Sequence, residues 1–301
     1  MSIQLLLSNK TFQWKPRTAR LPLNSTLCIK KMRFLYRYYS NIDYALDVVK
    51  NRRMYFSLQS EFNDPFDCLP KFSLLACKND GVQYWSELLR LGELYNDPSI
   101  SEIELEAKTQ NTLNGRTHPS IEWLKGYEQE REQAIKERLK GIRICCFAQS
   151  PRNQMLWAHY ASNHSGLVFQ FRTKYMADGE TGERKMFPVT YYEKPISLPE
   201  YIKIFKAGFD DPLEYARFQY CSKSKEWSGE NEVRLFSKQQ HVEFPEQMLS
   251  GIIFGVKTPG PEIEKLNNRR LEVGGFPDRG LKVQQYRQAS RPVLRLDVKP
   301  I

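Results

Sequence analysis

The sequence has no apolar run that approaches the roughly 20 residues of a membrane-spanning helix, so it predicts no membrane span. It also lacks the Cys-x-x-Cys and His-x-x-x-His spacings of zinc sites. The six cysteines are scattered, and Cys145 and Cys146 stand side by side in an apolar run. Such buried neighbours are typical of reduced thiols in a reducing compartment. We therefore expect a cytoplasmic protein without a zinc site.

Acidic residues are missing from residues 1–42, which contain eight Lys and Arg. Residues 267–301 carry a net charge of +5, whereas 43–266 carry −3, so the overall +10 belongs to the two ends. A basic tail can contact nucleic acid or anionic lipid, although a solvated terminus is the commoner case. We expect 1–31 to be an additional or poorly ordered segment. The strand-like residues that follow Met32 then mark the start of the folded domain.

Hydrophobic residues at 41% and aromatics at 13% are sufficient for a substantial core. Apolar spacing predicts strands and helices in mixed order, with no internal repeat. We therefore expect one α+β domain over 32–301, interrupted by a helical insertion at about 75–140. The predicted strands are 34–39, 54–57, 142–147, 167–171, 187–192, 233–236, 251–255, 281–286 and 293–296. The predicted helices are 42–49, 82–95, 99–113, 119–140, 151–162, 198–207, 212–222 and 261–268.

The most informative pattern is Glu230-Asn231-Glu232, which precedes an apolar strand that begins at Val233. On a strand, residues i and i+2 share a face, so the two carboxylates would lie about 6–7 Å apart. Like charges in that arrangement raise each other's pKa and destabilise the strand. Such a pair is expected on a wet face or where the carboxylates bind something.

Other polar residues recur beside the ends of predicted strands. Each has an ordinary structural interpretation: one polar position of a strand, turn chemistry before a proline, or the edge of the core. Each also has a functional interpretation as part of one site. The candidates are Arg37, Tyr38, Ser57, Asn63, Asp64, Asp67, Trp157, His159, Tyr160 and Arg234.

The ordered motifs of the chain resemble the bacterial domain-of-unknown-function family 2971. The resemblance covers about 34–255 and implies no activity. Its motifs are Leu35-Tyr36-Arg37-Tyr38, Phe62-Asn63-Asp64-Pro65-Phe66-Asp67, Cys146-Phe147-Ala148-Gln149-Ser150, Met155-Leu156-Trp157-Ala158-His159-Tyr160-Ala161, His164-Ser165-Gly166, Lys225-Glu226-Trp227 and Glu230-x-Glu232-x-Arg234.

A weaker resemblance is to ADP-ribosyltransferases of the Arg-Ser-Glu type, and it implies a mixed or antiparallel split β-core with a cleft for NAD. It assigns Arg37 to the diphosphate, Ser57 to the second strand, and Glu232 to the ribose hydroxyl and the oxocarbenium-like transition state. Glu230 would then orient or deprotonate the acceptor, and Tyr38 or Trp227 would stack on nicotinamide. The chain departs from that family because it has no Ser-Thr-Ser triplet at its second strand.

Two other classes of function remain open. A metal-dependent nuclease or phosphodiesterase would hold Mg²⁺ on Asp64, Asp67, Glu230 and Glu232, with Arg234 on the phosphate. A binding module without chemistry would use the same acids and aromatics to recognise a basic partner. In the transferase hypothesis the acceptor is a protein, a nucleic acid or water, as in a toxin or a phage-defence effector. The sequence does not indicate the oligomeric state.

Overall fold

The computed structural model describes residues 32–68, 72–176, 186–210, 217–273, 282–288 and 296–300. The chain divides into two compact units. The first unit takes its described residues from Asp64–Gly141 and Thr190–Lys225. The second takes them from Pro22–Asn63, Ile142–Val189 and Glu226–Ile301. The predicted N-terminal segment 1–31 lies outside the described residues, and a single domain that begins at Met32 stays a prediction.

Strands and helices follow one another in mixed order along the chain, and the main sheet is largely antiparallel, as expected for an α+β protein. The strands are β1 Phe34–Tyr39, β2 Arg53–Tyr55, β3 Arg143–Ala148, β4 Leu167–Arg172, β5 Met186–Pro188, β6 Thr190–Tyr192, β7 Ser222–Ser224, β8 Glu232–Ser237, β9 His241–Glu243, β10 Leu249–Phe254, β11 Lys282–Gln288 and β12 Leu296–Pro300. The helices are α1 Ile42–Asn51, α2 Val82–Asn96, α3 Glu102–Leu113, α4 Ile121–Leu139, α5 Gln154–Tyr160, α6 Leu198–Asp210 and α7 Gly260–Val273.

The second unit is built on an eight-stranded sheet in the order β12-β11-β10-β4-β1-β3-β8-β5. All its neighbours are antiparallel except β10 and β11, which are parallel. The pairing of β1 with β3 is limited to Tyr36 and Ala148. Beyond that point Ser57 forms a bridge with Ile144 of β3.

The two faces of this sheet bury different residues. One face forms the main core, in which Leu35 and Phe169 pack with Val48 and Val49 of α1 and Leu266 of α7. α1 begins where the side chain of Asn41 accepts a hydrogen bond from the backbone N–H of Asp43, a standard N-cap. The opposite face packs against α5 in a smaller cluster. That cluster comprises Trp157, Ala161, Val168 and Ile253, with Tyr36 and Tyr38 packed against it.

The first unit is mainly helical. Its core combines residues of α2 and α4, such as Trp85 and Leu124, with Tyr201 of α6. The ring of Phe72 stacks on Tyr201 with centroids 3.8 Å apart. Residues after 190 thus complete the core of the helical region that the sequence places at about 75–140. The short strands β6 and β7 pair in parallel within this unit.

Most predicted elements have counterparts in the structure, but the strand β9, His241–Glu243, was not predicted, and three predicted elements differ. The single strand predicted over 187–192 is two strands that join different sheets, β5 with β8 and β6 with β7. The helix predicted over 151–162 is restricted to α5, which Asn153 caps at its N-terminus. The helix predicted over 212–222 ends before its last residue, because Ser222 begins β7. Residues 212–216 of that predicted helix lie outside the described residues. The same holds for Leu281 and 293–295, which belong to the two predicted closing strands. No helix in the described part of the chain is long and apolar enough to cross a membrane.

Candidate functional site

The register of the sheet determines which candidate side chains share a face. Glu232 lies opposite Ala148 of β3, which in turn lies opposite Tyr36 of β1. Because directly paired residues project to the same side, Glu232 lies on the face that packs against α5. Arg37 follows Tyr36 directly and projects to the opposite, main-core face. The structure therefore does not bring Arg37 together with Glu232.

Ser57 also lies away from Glu232. Its bridge partner Ile144 is four residues along β3 from Ala148, a separation of about 13 Å at strand spacing. The register places Ser57 on the Glu232 face, with its backbone N–H donating to Ile144 O at 2.9 Å. The expected convergence of Arg37, Ser57 and Glu232 on one cleft is therefore wrong.

Glu232 is held by the arginine two residues further along the same strand. Nε and Nη2 of Arg234 donate hydrogen bonds to the two carboxylate oxygens of Glu232, at 2.7 and 3.1 Å. Arg234 is fully buried and Glu232 is only 5% exposed. The forked guanidinium matches a carboxylate in this bidentate geometry. A buried ion pair, and not a wet acidic face, therefore explains the second acid of the motif.

Glu230 has a different position and different partners. It ends a 3-10 helix, Lys225–Glu230, and Asn231 has a left-handed backbone with φ 46° before β8 begins. The expectation that both acids occupy one strand is therefore wrong, because the strand starts at Glu232. Glu230 is 5% exposed, and its Oε1 accepts a hydrogen bond from the hydroxyl of Tyr160 at 2.8 Å.

A chain of hydrogen bonds joins Glu230 to the surface of the second unit. The side-chain amide of Asn63 donates to the Tyr160 hydroxyl at 3.2 Å, and that hydroxyl donates onward to Glu230. Asn63 is exposed and Tyr160 is partly buried. We name these three residues the tyrosine relay. It gives a buried carboxylate a polar route to solvent.

Phe62 links the ion pair to the relay. Its ring lies 5.6 Å from the guanidinium carbon of Arg234, within the range of a cation–π contact. Because Phe62 directly precedes Asn63, one short segment contacts both Arg234 and Tyr160. The sequence motif contains Phe62, but nothing in its pattern predicted this role.

Asn153 anchors the segment that presents Glu230. Its side-chain oxygen caps α5 by accepting from the backbone N–H groups of Met155 and Leu156, at 3.0 and 3.3 Å. Its side-chain amide donates to the carbonyl of Gly229, one residue before Glu230. The start of α5 and the end of the 3-10 helix are thus fixed to each other. Sequence reasoning missed Asn153, although an Asn just before a helical pattern is a recognised cap signal.

Four more predicted site residues lie in β1, in α5 and in the 3-10 helix before β8, and two of them, Trp157 and Tyr38, have structural roles. Trp157 is fully buried and donates from Nε1 to the carbonyl of Pro151 at 2.7 Å. The ring of Tyr38 meets Trp157 edge-on at 5.4 Å, and its hydroxyl donates to the carbonyl of Ser150. His159 is exposed on α5, with its ring 6.5 Å from that of Tyr160. Trp227 is partly buried in the 3-10 helix that leads to Glu230.

The acids of the Asn63–Asp67 motif belong to the first unit. Oδ1 of Asp64 accepts from the backbone N–H of Phe66 at 2.9 Å, which is ordinary turn chemistry. Asp67 is buried and pairs with the buried Lys223 at 3.2 Å. The adjacent Phe66 is 72% exposed.

A magnesium site receives no support from this arrangement. Within the described ranges, no group of three or more His, Cys, Asp and Glu side chains is placed to hold a metal ion. The carboxylates of Asp67 and Glu232 are both engaged by cations of the chain itself.

Fold and site define an α+β protein with a buried carboxylate served by a tyrosine relay. Residues 156–235 match the model of a family described as "Protein of unknown function (DUF2971)". The match supports the resemblance to that family and includes Tyr160, Glu230, Glu232 and Arg234. Neither the curated proteins nor the solved structures contain a match to this chain.

Proposed function

We propose that the chain cleaves the N-glycosidic bond of NAD and transfers ADP-ribose to a protein or nucleic-acid acceptor, with Glu230 as the catalytic carboxylate. The observation that carries this proposal is the tyrosine relay. It leads from the exposed Asn63 through Tyr160 to a carboxylate that is almost fully buried. The choice of NAD rests on the Glu-x-Glu pair before an apolar strand, which resembles the motif of ADP-ribosyltransferases, and the choice of Glu230 rests on the geometry.

In the proposed reaction the bond between C1′ of the ribose and the nicotinamide nitrogen breaks, and nicotinamide leaves with the bonding electrons. The ribose develops oxocarbenium character, which a nearby carboxylate stabilises, as in glycoside cleavage. The acceptor nucleophile bonds to C1′ and gives its proton to Glu230. Low polarity around a buried carboxylate strengthens its interaction with the developing charge. Glu232 serves indirectly, because its pair with Arg234 fixes the start of β8.

A binding site without chemistry is the second candidate. The observation that favours it is the engagement of Glu232 by Arg234, which leaves one acid of the motif with a structural role. The two candidates differ in turnover, because only the enzyme releases nicotinamide from NAD.

The test measures nicotinamide release and transfer of labelled ADP-ribose to the proteins and nucleic acids of a cell extract. Glu230→Gln keeps an acceptor for the Tyr160 hydroxyl but removes the charge, and we expect its rate to fall by about 10²–10³. Glu226→Gln is the matched control, because Glu226 is exposed in the same 3-10 helix, and its rate should equal that of the wild type. Wild-type protein without nicotinamide release, or equal rates for both variants, would rule out the proposal.

A further inference from the structure

A cationic side chain lies on the main-core face of the sheet, away from the tyrosine relay. Arg37 projects from β1 beside Tyr39, and Phe169 of β4 is its cross-strand neighbour. Its Nη1 donates a hydrogen bond to Sγ of Cys145 at 2.8 Å, and its guanidinium carbon lies 5.4 Å from the centre of the Tyr39 ring. In the part of the chain that the structure describes, no carboxylate lies within ion-pair distance of Arg37.

The thiol that receives the Arg37 hydrogen bond does not neutralise the guanidinium. Burial raises the pKa of Cys145 to about 11, against the smaller opposing effect of Arg37. The sulfur is therefore a neutral, weak acceptor at physiological pH. A guanidinium has five N–H donors, and the one bond to sulfur uses a single donor. Burying the other N–H donors of this cation without acceptors costs free energy, unless an anion accepts hydrogen bonds from them.

The hydroxyl of Tyr39 is a second incompletely used group at the same place. Tyr39 is 8% exposed, and among the described residues its buried hydroxyl has no hydrogen-bond partner. Burial raises its pKa to about 12, so the group stays a donor at physiological pH. The carboxylate of Asp47 acts on Tyr39 only weakly and is itself held by Arg53, at 3.0 and 3.1 Å. A buried donor of this kind normally has a protein or solvent partner.

We propose that Arg37 and Tyr39 form a binding site for a small oxyanion, either a phosphate group or a carboxylate. The forked guanidinium of Arg37 can donate two parallel hydrogen bonds to either group, and the Tyr39 hydroxyl supplies a further donor. Arg37 as a whole residue retains some exposed surface. The site is separate from the proposed catalytic carboxylate Glu230, because Glu230 binds Tyr160 of α5, which packs on the face of the sheet opposite Arg37. It stands whether or not the chain turns over NAD.

The experiment follows thermal unfolding of the full chain in sodium phosphate, sodium acetate and sodium chloride at equal ionic strength. We expect phosphate or acetate to raise the Tm by about 3 °C more than chloride, as a ligand of the native state does. A response to phosphate alone assigns a phosphate group, and a response to acetate alone assigns a carboxylate. An identical Tm in all three salts would overturn the proposal.

Three variants test whether the effect of anions on the Tm comes from Arg37 and Tyr39. Arg37→Met should lose the anion response and be at least as stable as the wild type in chloride, because the variant removes an uncompensated cation. Tyr39→Phe deletes one oxygen atom, so it should fold and show a weaker response. Arg33→Met is the matched control, since Arg33 is exposed just before the same strand, and it should respond like the wild type. A control variant that loses as much response as Arg37→Met would refute the assignment.

Discussion

Replacing Glu232 by Gln is expected to destabilise the protein strongly, although the change keeps the size of the side chain. The reason is Arg234, which is fully buried and bound by both oxygens of Glu232. Removing one member of a buried ion pair costs about 3–5 kcal/mol, because a charge stays behind without its partner. Gln retains one acceptor, so the lower end of that range, about 3 kcal/mol, applies. The Tm should fall by roughly 6–12 °C.

The measurement is the free energy of unfolding in urea, followed by far-ultraviolet circular dichroism and by tryptophan fluorescence. The informative comparison is the double variant Glu232→Met and Arg234→Met, which replaces both charges with apolar groups of similar volume. It should lie within about 1 kcal/mol of the wild type, because apolar replacement of a whole buried pair is often neutral. Glu226→Gln should change the stability by less than about 0.5 kcal/mol, as surface changes usually do.

The reasoning would be refuted if Glu232→Gln unfolded with the wild-type free energy, or if the double variant were less stable than the single one. Either result would mean that the fold tolerates the buried charge of Arg234 without Glu232. The predicted loss of stability also affects how the activity of Glu232→Gln is interpreted. A loss of activity in Glu232→Gln would report unfolding unless it were measured at an equal folded fraction. Glu230→Gln is therefore the better test of catalysis.

Two further predictions concern packing and pH. Gly166→Ala should destabilise by about 3 kcal/mol or more, because a Cβ there would lie 2.1 Å from the backbone oxygen of Tyr39. Gly126→Ala in α4, where no atom lies within 4 Å of the added Cβ, should instead stabilise the protein by about 0.5–1 kcal/mol. Equal changes in the free energy of urea unfolding for the two variants would contradict this reasoning. The raised pKa of Cys145, about 11 in the folded state, predicts that stability falls between about pH 9 and 11, where only the unfolded thiol loses its proton. Cys145→Ala should remove that share of the pH dependence.

The elements that the sequence predicted best are those whose apolar spacing is regular. β1 has the predicted bounds, and α1 follows it with the expected spacing of Ala45 and Val49 toward the core. The strand predicted over 187–192 failed because its two halves pair with different partners, and a change of partner leaves no trace in hydrophobic alternation. The α+β class needed only the order of elements, so it could be predicted without any knowledge of pairing.

The site was harder to predict because it depends on register. Alternation shows that Arg37 and Tyr38 project to opposite faces of β1. It does not show which of them shares a face with Glu232, since that follows from the pairing of Tyr36 with Ala148 and of Ala148 with Glu232. The tyrosine relay joins residues nearly 100 and 70 positions apart, Asn63 to Tyr160 and Tyr160 to Glu230, so no local pattern could reveal it.

Asn231 explains how two neighbouring acids acquire different environments. A continuous strand would project Glu230 and Glu232 to one side, where their charges would repel each other. The left-handed backbone of Asn231, with φ 46°, instead ends the 3-10 helix and turns the chain before β8 starts. Asn tolerates this conformation better than most residues. One carboxylate can then face Tyr160 while the other binds Arg234, so the middle residue of Glu-Asn-Glu separates a structural acid from the proposed catalytic one.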